Sequence, residues 1–344
     1  MVEYKLSDYD YHLPIELIAQ EPLAERDKSR MMILEKRTGQ ITNSIFNRIP
    51  TYLKQGDLLV LNDTKVLPVR LLGQIVGKDT AVEILLLHRC RDERWIAMVR
   101  PGRKLKPGIK VSLEEDVTAL IEDYADKGLR EISFSVREPI EKLLPRLGRV
   151  PLPPYIKKEL SDPDQYQTIF AAREGSAAAP TAGFHFTDRV FAELDKKGVE
   201  KTFITLHIGP GTFQPVKEDD IREHVMHREY YQLHKSTVKA LNAARERGGR
   251  IVAVGTSVCR VLETVAESNG YFAGEAEGWT DLYIYPGYKF RAVNTLLTNF
   301  HLPRSTLLML VSAFAERKNI LYAYREAVAG QYRFFSFGDC MLII

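Results

Sequence analysis

The hydrophobic pattern of the chain changes its period partway along, and this change restricts the fold more than any other feature. From residue 57 to about residue 150, short apolar runs such as AVEILLLHR (81–89) and EISFSV (131–136) alternate with turn residues. Many short strands joined by regular turns predict a small β-barrel or sandwich. After residue 180, segments with strand and helix periods alternate, which predicts a parallel or mixed sheet covered by helices.

A proline-rich segment marks the return from the all-β unit. The stretch VPLPPY (150–155) holds three prolines, so it is expected to be extended and stiff. The predicted fold class is α/β plus all-β, with a small β-barrel domain inserted into a larger α/β domain. Residues 1–60 and 151–344 are predicted to form the discontinuous α/β domain, and residues 61–150 the inserted barrel.

Composition places the chain among ordinary globular proteins. Hydrophobic residues make up 45% of the chain and charged residues 27%, which is too apolar for wholesale disorder. The three cysteines lie too far apart for a local metal motif or a disulfide framework. No signal-peptide pattern and no apolar run long enough to span a bilayer is found, so we expect a cytoplasmic protein without membrane contact.

Positive charge is concentrated locally although the net charge is only +3. Residues 94–113 contain six basic residues and no acidic one. Such a local positive field suits phosphate binding, whereas the alternative is a solvated loop whose acidic partners lie elsewhere. Four of these residues are named here the basic loop: Arg100, Arg103, Lys104 and Lys106.

A strand, a tight turn and a helix are predicted over RIVAVGTSVCRVLE (250–263). The turn at Gly255 lies at the N-terminus of the helix, where free backbone N–H groups and the positive end of the dipole favour an anion. The hydroxyls of Thr256 and Ser257 can hold a phosphate, a carboxylate or a ribose. Open α/β sheets bind ligands at such junctions, and the alternative is simple capping by one of these hydroxyls.

Other predicted strand ends and loops also carry polar or flexible residues. Glycine lets a backbone approach a ligand closely, and LHIGPGTF (206–213) therefore adds the candidates His207, Gly209, Gly211 and Thr212. The stretches APTAGFHFT (179–187), TNFHLPRSTL (298–307) and LNDTKVLPVRL (61–71) add Thr181, His185, His301, Asn62 and Asp63. The alternatives are ordinary turns, local capping or a buried, hydrogen-bonded histidine.

Two histidines three residues apart, His224 and His227, would share one face of a helix, as metal ligands can. No third ligand lies nearby in sequence, so no metal site is predicted. His227 and Glu229 are more plausible as polar contacts or as acid and base groups. The chain also lacks Gly-x-Gly-x-x-Gly after a strand, a phosphate-loop Gly-Lys-Thr/Ser and Cys-x-x-Cys, which disfavours dinucleotide enzymes, NTPases and zinc ribbons.

Taken together, these stretches resemble the S-adenosylmethionine:tRNA ribosyltransferase-isomerase family of queuosine biosynthesis. The motifs occur in the order of that family and cover nearly the whole chain. Besides the stretches already quoted, they include DYDYHLPIELIAQEPLAERDKSRMM (8–32), GRVPLPPYI (148–156), YQTIFAAREGSAAAPTAGFHFT (166–187) and FFSFGDCMLI (334–343). The family fold, a β-barrel inserted into a larger α/β domain, is similar to the one expected from the hydrophobic pattern.

The resemblance implies a transferase that acts on tRNA. It would transfer and isomerise the ribosyl moiety of S-adenosylmethionine onto 7-aminomethyl-7-deazaguanine at the wobble position, giving epoxyqueuosine-tRNA, methionine and adenine. S-adenosylmethionine would be the cosubstrate, with no prosthetic group. The implied partner is a tRNA with a GUN anticodon (tyrosine, histidine, asparagine or aspartate acceptor), and a monomer is expected. Two alternatives stay open: an S-adenosylmethionine-dependent RNA methyltransferase and a non-catalytic RNA-binding protein.

Under this hypothesis the candidate residues take roles. The candidate proton-transfer groups are His185, His207, His227 and Glu229. The candidate substrate-binding residues are Asn62, Asp63, Thr181, Gly209, Gly211, Thr212, Thr256, Ser257, Arg260 and His301. Among them, Asp63 would recognise the deazaguanine or its amine, and Arg260 would hold the methionine carboxylate or a phosphate.

Contacts with tRNA are expected from basic and aromatic side chains. The basic loop would follow the anticodon-stem backbone, and Trp95 or Tyr155 would stack on unpaired bases of the loop. The site residues are expected to converge on one cavity between the barrel and the sheet.

Overall fold

The computed structural model describes residues 4–90, 94–114, 117–125, 128–160, 162–209 and 216–344. In chain order its strands are β1 (Arg30–Leu34), β2 (Ile41–Ile45), β3 (Leu58–Asn62), β4 (Thr64–Val66), β5 (Arg70–Ile75), β6 (Ala81–Arg89), β7 (Trp95–Arg100), β8 (Lys110–Glu114), β9 (Val117–Tyr124), β10 (Arg130–Ser135), β11 (Gly148–Arg149), β12 (Arg173–Ser176), β13 (Glu200–Leu206), β14 (Glu229–Leu233), β15 (Ile251–Val254), β16 (Ala276–Thr280), β17 (Thr295–Asn299) and β18 (Cys340–Ile343). The α-helices are α1 (Ile140–Leu147), α2 (Asp188–Lys196), α3 (Lys235–Glu246), α4 (Thr256–Val265), α5 (Thr306–Ala315) and α6 (Arg317–Ala329).

A nine-stranded mixed sheet forms the larger unit, in the order β16-β14-β13-β3-β15-β17-β18-β1-β2. Its middle strands β13, β3, β15 and β17 are parallel, so their carboxyl ends meet at one edge. Every residue of β3, β15 and β17 is buried, because helices cover both faces of the sheet. Alternate residues of β3 enter two different hydrophobic clusters: Leu58 and Val60 pack on one face, and Leu59 and Leu61 on the other.

A closed barrel forms the second unit. Its six strands pair antiparallel in the order β5-β6-β7-β10-β9-β8, and pairing of β8 with β5 closes the ring. Ile84, Ala97 and Ile132 point into an apolar interior. Trp95 also lies in this interior and is only 7% exposed, so the predicted stacking of Trp95 on tRNA is wrong. The predicted fold class is confirmed, whereas the domain boundaries stay a prediction.

Hydroxyl side chains begin two of the helices. The hydroxyl of Thr187 caps α2 by accepting from the N–H of Val190, and Ser305 caps α5 in the same way. Helices α5 and α6 are separated at Glu316, where a φ of 62° breaks the helical path.

Within the described ranges, every helix is too short or too polar to cross a bilayer.

Candidate active site

An open cleft lies at the carboxyl edge of the parallel strands. It encloses about 1110 Å³ of empty space, its open mouth included, and its walls are the segments that follow β13, β15 and β17. This is the edge at which open α/β sheets bind ligands. Its described lining residues lie between residues 155 and 336, and none of the described residues of 61–150 is among them. The expected cavity between barrel and sheet is therefore not this cleft, which the α/β unit builds alone.

Helix α4 begins at the wall of the cleft. Gly255 is its N-cap, with a φ of 96° and a ψ of 153°, a backbone conformation that only glycine adopts without strain. Among the described residues, no side-chain capping hydrogen bond is found at this helix start, so simple capping by Thr256 or Ser257 is not observed. Gly255, Thr256 and Ser257 all line the cleft. The N–H groups of the first helical turn and two hydroxyls are therefore available to a ligand.

A buried ion pair forms another part of the wall. The side chains of Arg260 and Glu229 are only 6% and 4% exposed, and Arg260 Nη1 donates to Glu229 Oε2. The other oxygen of Glu229 accepts from the N–H of Gly209 at 3.0 Å. Arg260 also donates to the carbonyls of Leu282 at 2.9 Å and Thr280 at 3.4 Å. The pair therefore carries a fixed, largely dry charge distribution into the cleft.

His227 is the exposed histidine of this wall. It lies two residues before β14, in a non-helical segment, and its side chain lines the cleft. His224 lines the cleft too, but its Nδ1 lies 2.9 Å from Glu218 Oε2. Because the segment is not a helix, the shared helical face considered for a metal does not exist. In the described part of the chain, no group of three or more His, Cys, Asp or Glu residues could hold a metal ion.

The turn after β17 contributes a third imidazole to the cleft, that of His301. His301 lines the cleft but is only 8% exposed, and burial lowers its pKa to about 3. Its Nε2 lies 2.9 Å from Thr298 Oγ1. Its backbone is held on both sides, because the N–H donates to Tyr324 Oη at 2.9 Å and the carbonyl accepts from Tyr11. His301 therefore offers a neutral, rigidly held hydrogen-bonding group.

Asn299 connects the cleft with His185, which lies behind the cleft wall. Thr181 lines the cleft and donates to Asn299 Oδ1 at 3.2 Å, while Asn299 Nδ2 lies 3.4 Å from His185 Nε2. His185 is 3% exposed, and its Nδ1 lies 2.7 Å from the Ser29 hydroxyl. Burial, then the charges of two nearby arginines, lowers its pKa to about 3. His185 is therefore a buried, hydrogen-bonded histidine, which was the alternative to a catalytic role. Sequence reasoning missed Asn299, although its position at a strand end next to His301 could have suggested it.

His207 and its neighbours lie beside the cleft rather than in it. His207 Nδ1 is 2.8 Å from Thr64 Oγ1, and burial lowers its pKa, opposed by the charge of Asp63. Asp63 accepts from the Thr205 hydroxyl at 2.6 Å. The side-chain amide of Asn62 bonds the backbone N–H and carbonyl of Leu206, both at 3.0 Å. Asn62 therefore holds strands together.

The remaining candidates lie elsewhere. Gly209 adjoins the cleft through its bond to Glu229, whereas Gly211 and Thr212 fall outside the described residues. All four residues of the basic loop are exposed, on and after strand β7 of the barrel. Tyr155 lines the cleft, and its hydroxyl lies 2.8 Å from that of Ser336. The structure thus brings together Thr181, His227, Glu229, Thr256, Ser257, Arg260 and His301.

Comparisons with known proteins extend these observations to the whole chain. A family model described as "Queuosine biosynthesis protein" matches residues 6–343. The S-adenosylmethionine:tRNA ribosyltransferase-isomerase of Caldanaerobacter subterraneus subsp. tengcongensis is 53% identical over 99% of this chain and 100% of that protein. Its counterpart in a Thermoanaerobacter species is 52% identical over the same shares.

A solved structure is also similar. The crystal structure of S-adenosylmethionine tRNA ribosyltransferase from Thermotoga maritima is 41% identical to this chain, covers 98% of it and 100% of its own length, and superposes with a TM-score of 0.56. The predicted resemblance is confirmed over the full length. The chain therefore belongs to the queuosine biosynthesis family that contains the S-adenosylmethionine:tRNA ribosyltransferase-isomerases.

Proposed function

We propose that this protein is a transferase that transfers and isomerises the ribosyl moiety of S-adenosylmethionine onto 7-aminomethyl-7-deazaguanine at the wobble position of tRNA. The products are epoxyqueuosine-tRNA, methionine and adenine. The observation that carries this proposal is the full-length identity of more than half of the residues to proteins bearing that name. The cleft supports it, because it is roomy, open to solvent and walled by charged and hydroxyl-bearing side chains.

The chemistry places definite demands on the cleft. The sulfonium of the cosubstrate acidifies the adjacent ribose C5′–H, and a base removes this proton. Adenine leaves from C1′ with the help of a proton, the aminomethyl nitrogen attacks as a free amine and gives up one proton, and methionine departs as the C5′–S bond breaks and the epoxide closes. Of the four residues predicted to transfer protons, His227 suits this role best, because its exposed imidazole lines the cleft. Glu229 is engaged by Arg260 and Gly209 and serves as a fixed charge.

Two polar parts of the cleft wall suit different parts of the cosubstrate. The N-terminus of α4, with Thr256 and Ser257, suits a carboxylate or ribose hydroxyls. His301 stays neutral at physiological pH and can donate to or accept from an uncharged heterocycle such as adenine. Both groups bind and orient the cosubstrate in this proposal.

The decisive experiment is mass spectrometry of precursor-modified tRNA after incubation with the protein and S-adenosylmethionine. The expected products are epoxyqueuosine-tRNA, free adenine and methionine. Formation of S-adenosylhomocysteine would instead indicate a methyltransferase, and binding without any product would indicate a non-catalytic RNA-binding protein.

His227→Gln tests the assignment of the proton-transfer group. We expect kcat to fall by about 10²- to 10⁴-fold, the usual contribution of acid–base catalysis, with the KM for tRNA nearly unchanged. His234→Gln is the matched control, since His234 is also exposed but does not line the cleft. Equal kcat values for the two variants would remove His227 from the mechanism.

The finer identity of the partner is also part of the proposal. The tRNA substrate is expected to carry a GUN anticodon, and the protein to act as a monomer in the cytoplasm, where tRNA is found. Assays with tRNAs of different anticodons and the mass of the protein in solution test these points.

A further inference from the structure

Three aromatic rings lie in a row across one end of the large sheet, next to the cleft. They belong to His207, Tyr230 and Trp279, named here the aromatic ledge. Tyr230 of β14 is paired with Trp279 of β16, and the N–H of His207 donates to the carbonyl of Tyr230 at 2.9 Å. The ring centroids of His207 and Tyr230 are 6.1 Å apart with 21° between the planes, and those of Tyr230 and Trp279 are 5.6 Å apart.

The ledge is exposed at Trp279 and is held in place. Strand β16 is the edge of the sheet, and Trp279 is 51% exposed, while Tyr230 and His207 are half-buried. The ring of His207 is fixed by Thr64, and Gly175 makes room for it, because a Cβ at Gly175 would lie 2.8 Å from His207 Cε1. The hydroxyl of Tyr230 donates to Glu277 at 3.0 Å. A preorganised aromatic row with an exposed tryptophan at its outer end is more than packing requires.

The ledge and the cleft share one wall. Ile208 lines the cleft and directly follows His207, while Glu229 lines it and directly precedes Tyr230. Glu229 and Tyr230 are successive residues of β14 and point to opposite sides of it, so the ledge and the cleft are separated there by the thickness of this strand.

Charges of both signs lie near the ledge. The carboxylate of Glu277 accepts from Tyr230, and the charge of Asp63 acts on His207. Arg228 lies two residues before Tyr230 and is exposed. Arg173 is also exposed, and its backbone carbonyl accepts from the Thr64 hydroxyl that lies against His207. These two arginines are the groups in the neighbouring segments that can meet the phosphates of a bound strand.

We propose that the aromatic ledge binds unpaired nucleobases of the RNA substrate by stacking, next to the base that enters the cleft. This inference rests on the proposed function and names a binding subsite for it. Base–aromatic stacking suits an unpaired loop, because every base offers a flat face and loop bases can be splayed out. It also makes Trp279, rather than Trp95, the tryptophan that contacts RNA.

The chain has only two tryptophans, which makes the test direct. In a Trp95→Phe variant, Trp279 is the sole tryptophan, and we expect its fluorescence to be quenched when precursor-modified tRNA is added. In an otherwise wild-type chain, Trp279→Ala is expected to weaken tRNA binding about 5- to 150-fold, the cost of removing one stacking interaction. The KM for S-adenosylmethionine and the kcat at saturating tRNA should stay unchanged, and Trp279→Phe should restore most of the affinity.

Tyr322→Ala is the matched control, because Tyr322 is 46% exposed on helix α6 and lies outside the ledge. The proposal that the ledge binds RNA fails if Trp279→Ala binds tRNA as tightly as the control variant. It also fails if Trp279→Ala loses self-association and keeps its tRNA affinity. If the wild type converts tRNA while Trp279→Ala binds it normally, the ledge is wrong and the proposed function stands. If the wild type forms no epoxyqueuosine-tRNA, the proposed function fails instead.

Discussion

The buried ion pair between Arg260 and Glu229 allows a quantitative prediction. Replacing Arg260 by Met keeps most of the side-chain volume but leaves the carboxylate of Glu229, 4% exposed, without its guanidinium. The carbonyls of Leu282 and Thr280 also lose a donor. Breaking a buried pair by removing one partner costs about 3–5 kcal/mol. We therefore expect Arg260→Met to lower the free energy of unfolding by about this amount.

A double variant separates the charge from the loss of packing. Arg260→Met combined with Glu229→Gln leaves no charge at the position of this pair, so it is expected to be more stable than Arg260→Met alone by at least about 1 kcal/mol. Urea unfolding followed by circular dichroism measures both, provided that the slope with urea is unchanged. Lys201→Met is the control, because it removes an ion pair with Asp195 that is partly exposed and worth about 0–1 kcal/mol. The reasoning fails if the double variant is the less stable one, or if Arg260→Met costs no more than the control.

Three further outcomes follow from the geometry. Burial lowers the pKa of His185 and of His301 from about 6.5 to about 3. Below pH 6.5 the unfolded chain binds protons that the folded chain does not, so the free energy of unfolding should fall from pH 6.5 towards pH 3, by up to about 1.4 kcal/mol per pH unit for each histidine. In a pH series of urea midpoints, His301→Gln should reduce this slope. Gly255→Ala should lower the free energy of unfolding by about 1–3 kcal/mol, because alanine is strained at a φ of 96°, whereas Gly274→Ala, at an ordinary φ and in open space, should change it far less in the same urea assay. Neutralising the basic loop should reduce the slope of log Kd for tRNA against log salt by about 0.7–0.9 for each phosphate that the variant no longer neutralises. An unchanged slope would show that the basic loop is only solvated and does not bind tRNA phosphates.

Several candidate residues illustrate why proximity in sequence did not predict proximity in the site. His185 and Thr181 lie four residues apart, yet Thr181 lines the cleft while His185 is buried behind Asn299. His207 and Ile208 are adjacent, yet of the two only Ile208 lines the cleft. The sequence around a single histidine does not show whether its side chain will face the cleft or the protein interior, because this depends on which elements pack against the segment.

The sequence alone determined the fold class and the family. The change in hydrophobic period distinguishes a barrel from a helix-covered sheet, because strands and helices bury their apolar faces with different repeats. The caps at Thr187 and Ser305 and the glycine turn at Gly255 were also predictable, since each depends on contacts within a few residues. These local rules hold wherever the segment lies in the molecule.

Only the tertiary structure decided which of these side chains meet. The pairing of Tyr230 with Trp279 joins residues 49 positions apart, and the ion pair of Glu229 with Arg260 depends on where β14 and α4 lie relative to each other. The order of strands in the sheet arises from long-range pairing and from the packing of helices on both faces, which no local pattern encodes. The same packing sets the burial that keeps His301 uncharged while His227 remains exposed.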